Sequence, residues 1–182
     1  IRNKVIVFVG RASEEKGVVE AAEACAKILP YFSDWKALFI LSTLDRNIEC
    51  VRRIHKALLP VSGAVSVLFD MPHSFVKATL ETAEIALVPS ICEESFGRTA
   101  LEALAGGAVL ICSRAGALPE VGGDAARYLD VVSSEDLIDR LRPLMASAVE
   151  RQSLREAGKV RAQKFDISAT AGVMDRIIQD LV

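Results

Sequence analysis

The sequence is poor in aromatic residues and has no excess of basic residues. Aromatic residues make up 5% of the 182 residues, whereas hydrophobic residues of all kinds make up 51%. A core built mainly from Ala, Val, Leu and Ile suits helices packed on a buried parallel sheet. Lys and Arg number 22 against 24 Asp and Glu, for a formal net charge of −2. Because nucleic-acid-binding domains are usually basic, we expect no nucleic-acid partner.

The chain also lacks the patterns of cysteine and of acidic residues that are typical of metal sites. Its four cysteines are isolated, with no Cys-x-x-Cys pair and no histidine at ligand spacing. Isolated cysteines in an apolar chain are usually small buried residues, so we expect reduced thiols and a cytoplasmic protein. No Asp-x-Asp element is present, no signal peptide is visible, and no apolar run approaches the ~20 residues of a membrane span. We therefore expect no metal and no transmembrane segment.

Short apolar runs alternate with stretches of helical periodicity along the chain. The predicted strands are residues 5–9, 37–41, 65–69, 85–88, 109–112 and 128–129. The predicted helices are residues 18–29, 49–59, 74–82, 99–105, 137–148, 151–164 and 168–182. This alternation predicts one α/β domain over residues 1–182, a Rossmann-like, doubly wound parallel sheet of about six strands with helices on both faces. Ligands of such sheets bind at the carboxyl ends of the strands.

The loop after the first predicted strand carries two cations. Gly10 permits a sharp exit from the strand, and Arg11 and Lys16 flank the start of the first helix. Two cations beside a helix N-terminus suit a diphosphate. The loop matches neither a Walker motif nor a Gly-x-Gly-x-x-Gly dinucleotide motif. By itself it is equally explained by two solvated charges on a turn.

The loop after the fourth predicted strand is more informative. Glu94 lies on this loop, and Glu102 follows it inside a helix with seven residues between them. Phe96 and Gly97 lie at the turn, where their backbone N–H groups can face a ligand oxygen. The carboxylate of Glu102 can accept hydrogen bonds from vicinal hydroxyls such as those of a ribose. The alternatives are a surface helix residue for Glu102 and a helix-dipole partner for Glu94.

These motifs resemble those of the retaining GT-B glycosyltransferases of family 4, also called group 1. The two glutamates and the segments around them, residues 89–107 and 109–121, are similar to the family's C-terminal donor-binding domain, and residues 10–17 match its phosphate loop. The similarity covers residues 5 to 130. It implies the C-terminal half of a GT-B fold and retention at the anomeric carbon.

The resemblance also implies roles for particular residues. Arg11 and Lys16 would hold the donor diphosphate, and Glu94 would contact hydroxyls of the donor sugar; these are the expected catalytic residues. Expected nucleotide contacts are made by Gly10, Phe96, Gly97, Arg98, Thr99 and Glu102, with the ribose on Glu102 and the base near Phe69, Asp70 and Met71.

Two side chains have alternative interpretations. Arg98 stands where the family usually has an aliphatic residue, so it either reaches phosphate or sugar or pairs with Glu93. His73 follows Pro72 and either caps the third helix or joins a ligand site.

The resemblance further implies the reaction partners. The donor would be a UDP-, GDP- or ADP-linked hexose-type sugar, with no cofactor and no metal. A glycan or lipid-linked acceptor would bind through a second Rossmann-like domain preceding residue 1, against which residues 168–182 would pack. Peripheral contact of the whole protein with the inner face of a membrane is compatible with this.

The isolated chain would then bind donor without transferring sugar. The alternatives are a nucleotide-sugar epimerase and a non-catalytic nucleotide-binding module.

Overall fold

The computed structural model describes residues 2–43 and 47–165. The strands are β1 (Asn3–Arg11), β2 (Lys36–Ser42), β3 (Val65–Phe69), β4 (Ala83–Val88), β5 (Val109–Cys112) and β6 (Ala126–Tyr128). The helices are α1 (Val18–Ile28), α2 (Ile48–Leu58), α3 (His73–Thr82), α4 (Arg98–Gly106), α5 (Leu118–Gly122), α6 (Ser134–Ala146) and α7 (Ala148–Gln163). The helix predicted over residues 168–182 lies outside the described residues.

The six strands form one parallel sheet in the order β3-β2-β1-β4-β5-β6. This confirms the predicted Rossmann-like, doubly wound architecture. β1 and β4 are the two central strands, and Phe8 of β1 pairs with Phe39 of β2 on one side and with Leu87 of β4 on the other. The order of strands reverses between β1 and β4. Such a switch point opens a crevice at the carboxyl ends of the two strands.

Alternate residues of each strand pack into two separate layers. Ile6 and Phe8 of β1 belong to the layer that contains the buried faces of α1, α2 and α6. Val7 points the opposite way, into the layer formed by α3, α4 and α5. The two-residue period of a strand places successive side chains on opposite faces. Because both faces of the sheet are covered, its central strands need apolar residues at successive positions. β4 and β5 are buried at every position.

Several element boundaries differ from the sequence predictions. The structure divides residues 134–163 into two helices at Ser147, whose hydroxyl accepts a hydrogen bond from the Glu150 backbone N–H at 3.1 Å. The predicted helix over 137–148 crosses this point, because its apolar spacing continues through the cap. β6 begins at Ala126, two residues earlier than predicted, and the five-residue α5 was not predicted. β6 and α5 are too short for their sequences to show a clear hydrophobic period.

A buried ionic cluster attaches α7 to the sheet at the edge opposite the crevice. Glu84 of β4 accepts hydrogen bonds from Arg151 at 2.9 Å and from Arg155 at 2.5 Å. The Arg151 guanidinium also lies 5.1 Å from the ring centre of Trp35, which is 1% exposed. Charges removed from water require such pairing. The contacts therefore define the position of α7 relative to β4.

The close approach of two backbone segments at the crevice yields a test of the fold. Gly17 has φ of +64°, and an added Cβ there would overlap the carbonyl oxygen of Pro89. We expect Gly17→Ala to lower the free energy of unfolding by about 1–3 kcal/mol, measured by denaturant unfolding. Gly63→Ala is the matched control, because nothing lies within 4 Å of its added Cβ. A change within about 0.5 kcal/mol is expected for it, and equal effects of the two variants would contradict the assigned contact.

Candidate functional site

A cleft of about 240 Å³ opens at the carboxyl ends of β1 and β4, at the switch point of the sheet. It is lined by Phe8, Val9, Gly10, Lys16, Val88, Ser90, Glu94, Ser95, Phe96, Gly97, Arg98 and Thr99. Seven of these twelve residues were predicted as site residues from the sequence: Gly10, Lys16, Glu94, Phe96, Gly97, Arg98 and Thr99. The cleft is smaller than the ~300–1,000 Å³ typical of complete small-molecule sites. It therefore has room for part of an extended ligand.

Lys16 and Glu94 form an ion pair inside the cleft. The Lys16 Nζ atom donates to Glu94 Oε1 at 2.7 Å, and the two side chains are 17% and 19% exposed. The hydroxyl of Ser90, itself buried, donates to the same oxygen at 2.5 Å. Because both described hydrogen bonds reach Oε1, the second carboxylate oxygen is available to a ligand hydroxyl.

Electrostatics keep both members of this pair charged. Burial by itself raises the pKa of Glu94, but hydrogen bonds from Lys16 and Ser90 and the charges of Lys16 and Arg11 outweigh it and lower the pKa below 4.5. Burial likewise acts to lower the pKa of Lys16, and the hydrogen bond and charge of Glu94 reverse the effect and raise it above 10.5. At neutral pH Glu94 is thus a hydrogen-bond acceptor rather than a proton donor.

Backbone contacts from neighbouring loops hold Glu94 in place. The Glu15 carbonyl accepts hydrogen bonds from the N–H groups of Ile91 at 2.7 Å and Cys92 at 3.1 Å. The Ser113 hydroxyl donates to the Ser90 carbonyl at 2.6 Å. Sequence reasoning did not select Ser90 or Ser113 as site residues. Their positions directly after β4 and β5 are the signal that would have found them, since strand ends converge at this edge.

The loop after β5 closes on Glu94 from the other side. The Ala117 N–H donates to the Glu94 carbonyl at 2.8 Å. Gly116 has φ of +56°, and a Cβ there would overlap the Glu94 backbone. A side chain at this position would therefore displace Glu94 from the cleft.

The N-terminus of α4 faces the cleft. Gly97 is its N-cap and no side chain caps the helix, while Arg98 and Thr99 of the first turn line the cleft. The first N–H groups of a helix have no partner within it and favour anions. Phe96 beside this terminus is half-exposed and packs edge-on against Phe165, with ring centres 6.2 Å apart.

Glu102 lies one turn further along α4 and contacts the side chains of His73 and Arg98. Its Oε1 atom is 3.0 Å from His73 Nε2 and 3.7 Å from a guanidinium nitrogen of Arg98. The alternative that Arg98 pairs with Glu93 is wrong, because the i, i+4 spacing on α4 brings Arg98 to Glu102 instead. His73 is the first residue of α3. The contact thus connects the loop after β3 with α4.

The structure leaves five predicted site residues outside the lining of the cleft: Glu102, described above, and Arg11, Phe69, Asp70 and Met71. Arg11 ends β1 and forms an ion pair with Glu15. Asp70, with φ of +49°, accepts hydrogen bonds from the Thr43 N–H at 3.0 Å and hydroxyl at 2.6 Å. Phe69 is half-exposed near His55, and Met71 packs against the α3–α4 layer. Arg11, Phe69, Asp70 and Met71 all lie at the same edge of the sheet as the cleft.

Within residues 2–43 and 47–165, no group of three or more His, Cys, Asp or Glu side chains is arranged to hold a metal ion. No helix in the same part of the chain is long and apolar enough to cross a membrane.

Six parallel strands in this order, with helices on both faces, define a Rossmann-like domain of the kind that forms the C-terminal half of GT-B glycosyltransferases. The sequence model of the family "Glycosyl transferases group 1" matches residues 2–161. The chain belongs to this family, whose members are glycosyltransferases.

Individual comparisons agree with this assignment. The chain is 28% identical to a D-inositol 3-phosphate glycosyltransferase of Corynebacterium aurimucosum, with 99% of the chain and 44% of that protein covered. It is 32% identical to an MMP alpha-(1->4)-mannosyltransferase of Mycolicibacterium hassiacum over 89% of the chain and 39% of that protein. The crystal structure of a C-terminal domain of a group 1 glycosyl transferase from Francisella tularensis superimposes with a TM-score of 0.76 and 26% identity, covering 92% and 89% of the two chains.

The chain therefore spans less than half the length of the curated relatives it matches. The solved domain from Francisella tularensis has nearly the same extent as this chain. A domain of this size is thus an independent structural unit in at least one relative.

The lowered pKa of Glu94 predicts a pH dependence of stability. A carboxylate whose pKa is lower in the folded state stabilises that state above its ordinary pKa of 4.5, and the stabilisation is lost as the pH falls through the folded-state value. Glu94→Gln is therefore expected to lower the free energy of unfolding at pH 7, with the difference from the unmodified chain shrinking below pH 4.5. Denaturant unfolding of both proteins at pH 7 and at pH 3 measures this difference in the free energy of unfolding.

Glu93→Gln is the control for this experiment, because Glu93 is exposed on the same loop. Its effect on the free energy of unfolding is expected to be small at both pH values. A Glu94→Gln effect of the same size at pH 3 and pH 7 would contradict the assigned ion pair.

Proposed function

We propose that this chain is the donor-binding half of a retaining glycosyltransferase that moves a hexose-type sugar from a nucleoside diphosphate to a glycan or lipid-linked acceptor. The observation that carries the proposal is the Lys16–Glu94 pair beside the N-terminus of α4, in a cleft at the switch point of the sheet. Membership of a glycosyltransferase family supports it. Relatives named for mannosyl transfer support a hexose as the sugar.

The donor diphosphate would bind between Lys16 and the first turn of α4. Its negative charge increases as the sugar bond breaks, so an ammonium group and oriented N–H groups stabilise the transition state more than the ground state. Arg11 is placed at the rim, where a diphosphate would compete with Glu15 for its guanidinium. These groups supply the positive charge that a metal would otherwise provide, and we propose metal-independent binding.

Glu94 would hold hydroxyls of the donor sugar through its second carboxylate oxygen. Ser90 and Lys16 keep its charge and orientation constant, and a carboxylate acceptor strengthens each bond to a hydroxyl. Among the described residues that line the cleft there is no histidine, and their one carboxylate, that of Glu94, is paired with Lys16. We propose that the departing phosphate oxygen takes the proton of the acceptor hydroxyl, while its bond to the anomeric carbon breaks and the acceptor oxygen bonds to that carbon.

The nucleoside would extend from the cleft along the edge of the sheet. Glu102 lies three residues beyond Thr99 on α4, an axial rise of about 4.5 Å, which suits a ribose adjacent to the bound diphosphate. Phe69 and Met71 follow at the end of β3. The half-exposed ring of Phe69, next to this path, offers a surface on which the base can stack.

The acceptor would bind through a second domain of the whole protein. The chain covers 44% of a relative that is named as a complete glycosyltransferase, and the cleft is too small for donor and acceptor together. We therefore propose that the isolated chain binds nucleotide but transfers sugar at a negligible rate. Robust product formation by the isolated chain would refute this part of the proposal.

Calorimetric titration of the chain with UDP, GDP and ADP in the presence of EDTA tests donor binding. We expect saturable binding of at least one nucleotide, weakened by about 1–3 kcal/mol in Lys16→Ala and in Glu102→Ala, because each removes a charged partner of the ligand. Lys56→Ala, at an exposed position of α2, is the matched control and should bind as the unmodified chain does. Absence of binding at millimolar nucleotide, or equal binding by all variants, would overturn the site assignment.

A further inference from the structure

His73 makes a contact that the roles proposed so far do not use. Its Nε2 atom is 3.0 Å from Glu102 Oε1, although the two residues are 29 positions apart in sequence. Arg98 approaches the same oxygen at 3.7 Å. Both described contacts of the Glu102 carboxylate therefore involve Oε1. A carboxylate has about four acceptor positions on two oxygens, so the second oxygen has its full capacity for a ligand.

The contact restrains a side chain that would otherwise be mobile. Glu102 lies on the surface of α4 with its side chain 30% exposed. A long side chain in this setting samples several rotamers, and binding a ligand in only one of them costs conformational entropy. A hydrogen bond from a neighbouring helix selects one rotamer before the ligand arrives. Arg98 is less suited to this task, because its guanidinium nitrogen lies 3.7 Å from Oε1, beyond hydrogen-bond distance, whereas His73 lies at 3.0 Å.

The position of His73 connects the two parts of the proposed nucleoside path. It is the first residue of α3 and lies three positions after Asp70, at the end of the loop that follows β3. Glu102 lies one turn beyond the cleft on α4. The hydrogen bond thus holds α4 and the β3 loop together at the point between diphosphate and base. Any group on this path with two adjacent hydroxyls would meet the open oxygen of Glu102.

We propose that His73 is a positioning residue that orients Glu102 toward the vicinal hydroxyls of a ribose, and thereby makes the site prefer ribonucleotide over deoxyribonucleotide donors. The inference rests on the proposed function, because it takes the ligand to be a nucleoside diphosphate. The imidazole donates from Nε2 to Oε1, and the ribose hydroxyls donate to Oε2. His73 acts only through Glu102 and touches no reacting atom.

The test compares a nucleoside diphosphate with its 2′,3′-dideoxy analogue, which keeps the base and the diphosphate but lacks both hydroxyls. Calorimetric titration of the unmodified chain should give roughly tenfold or greater preference for the ribose form, the size of one charge-assisted hydrogen bond. His73→Ala should reduce this preference while leaving affinity for the dideoxy analogue unchanged. His73→Gln, which retains an N–H donor at similar reach, should restore it.

Two further variants make the result interpretable. Glu102→Ala should abolish the preference outright, and Lys77→Ala, an exposed position on the same helix as His73, should leave it intact. A thermal unfolding transition unchanged in His73→Ala would exclude loss of structure as the cause.

Each remaining outcome overturns a different statement. If His73→Ala leaves the ribose preference unchanged, or weakens both ligands equally, His73 does not position Glu102 and has at most a structural role. If it tightens binding of the ribose form, His73 competes with the ligand for Glu102. If Glu102→Ala retains the preference, the ribose does not bind there and the inference falls with that assignment. If the unmodified chain binds no nucleotide, the proposed function and the inference both fail.

Discussion

The site depends on the close backbone contact between the loop after β1 and the segment after β4. Gly17 lies directly against Pro89, and the Glu15 carbonyl accepts hydrogen bonds from Ile91 and Cys92. These two segments belong to adjacent strands on either side of the switch point, so the sheet itself brings them together. Lys16 and Glu94 meet because the segments that carry them are held in this register. Without the contact, the ammonium and carboxylate would belong to two independent loops.

The same contact determines the chemistry that the cleft can perform. A lysine and a glutamate enclosed together remain charged, since each offsets the desolvation of the other. The glutamate is then an acceptor for hydroxyls, and the lysine is positioned to receive an anion. The N-terminus of α4, which no side chain caps, adds oriented N–H groups at the cleft. Burial, pairing and helix direction therefore all favour a ligand with a negatively charged group next to a polyol.

Most of the framework was predictable because it depends on periodicity. Strands such as β4 are covered on both faces and read as continuous apolar runs, while α1 shows a buried face with helical spacing. Glu94 and Glu102 were predicted as site residues not from periodicity but because their spacing and flanking segments resemble those of a known family. Short segments were less predictable: α5 has five residues, and the break at Ser147 arises from a single cap. Local pattern carries little information over so few residues.

The amino-acid sequence by itself determined the order of strands and helices, the aliphatic core and the two loops that carry the charged residues. Only the tertiary structure decided which side chains meet. Arg98 contacts Glu102 rather than Glu93, Arg11 turns to Glu15, and Ser90 joins Lys16 on one oxygen of Glu94. His73 reaches Glu102 from another helix. The physical reason is that periodicity reports burial over a few neighbouring residues, whereas a hydrogen bond depends on atoms brought within about 3 Å by the whole fold.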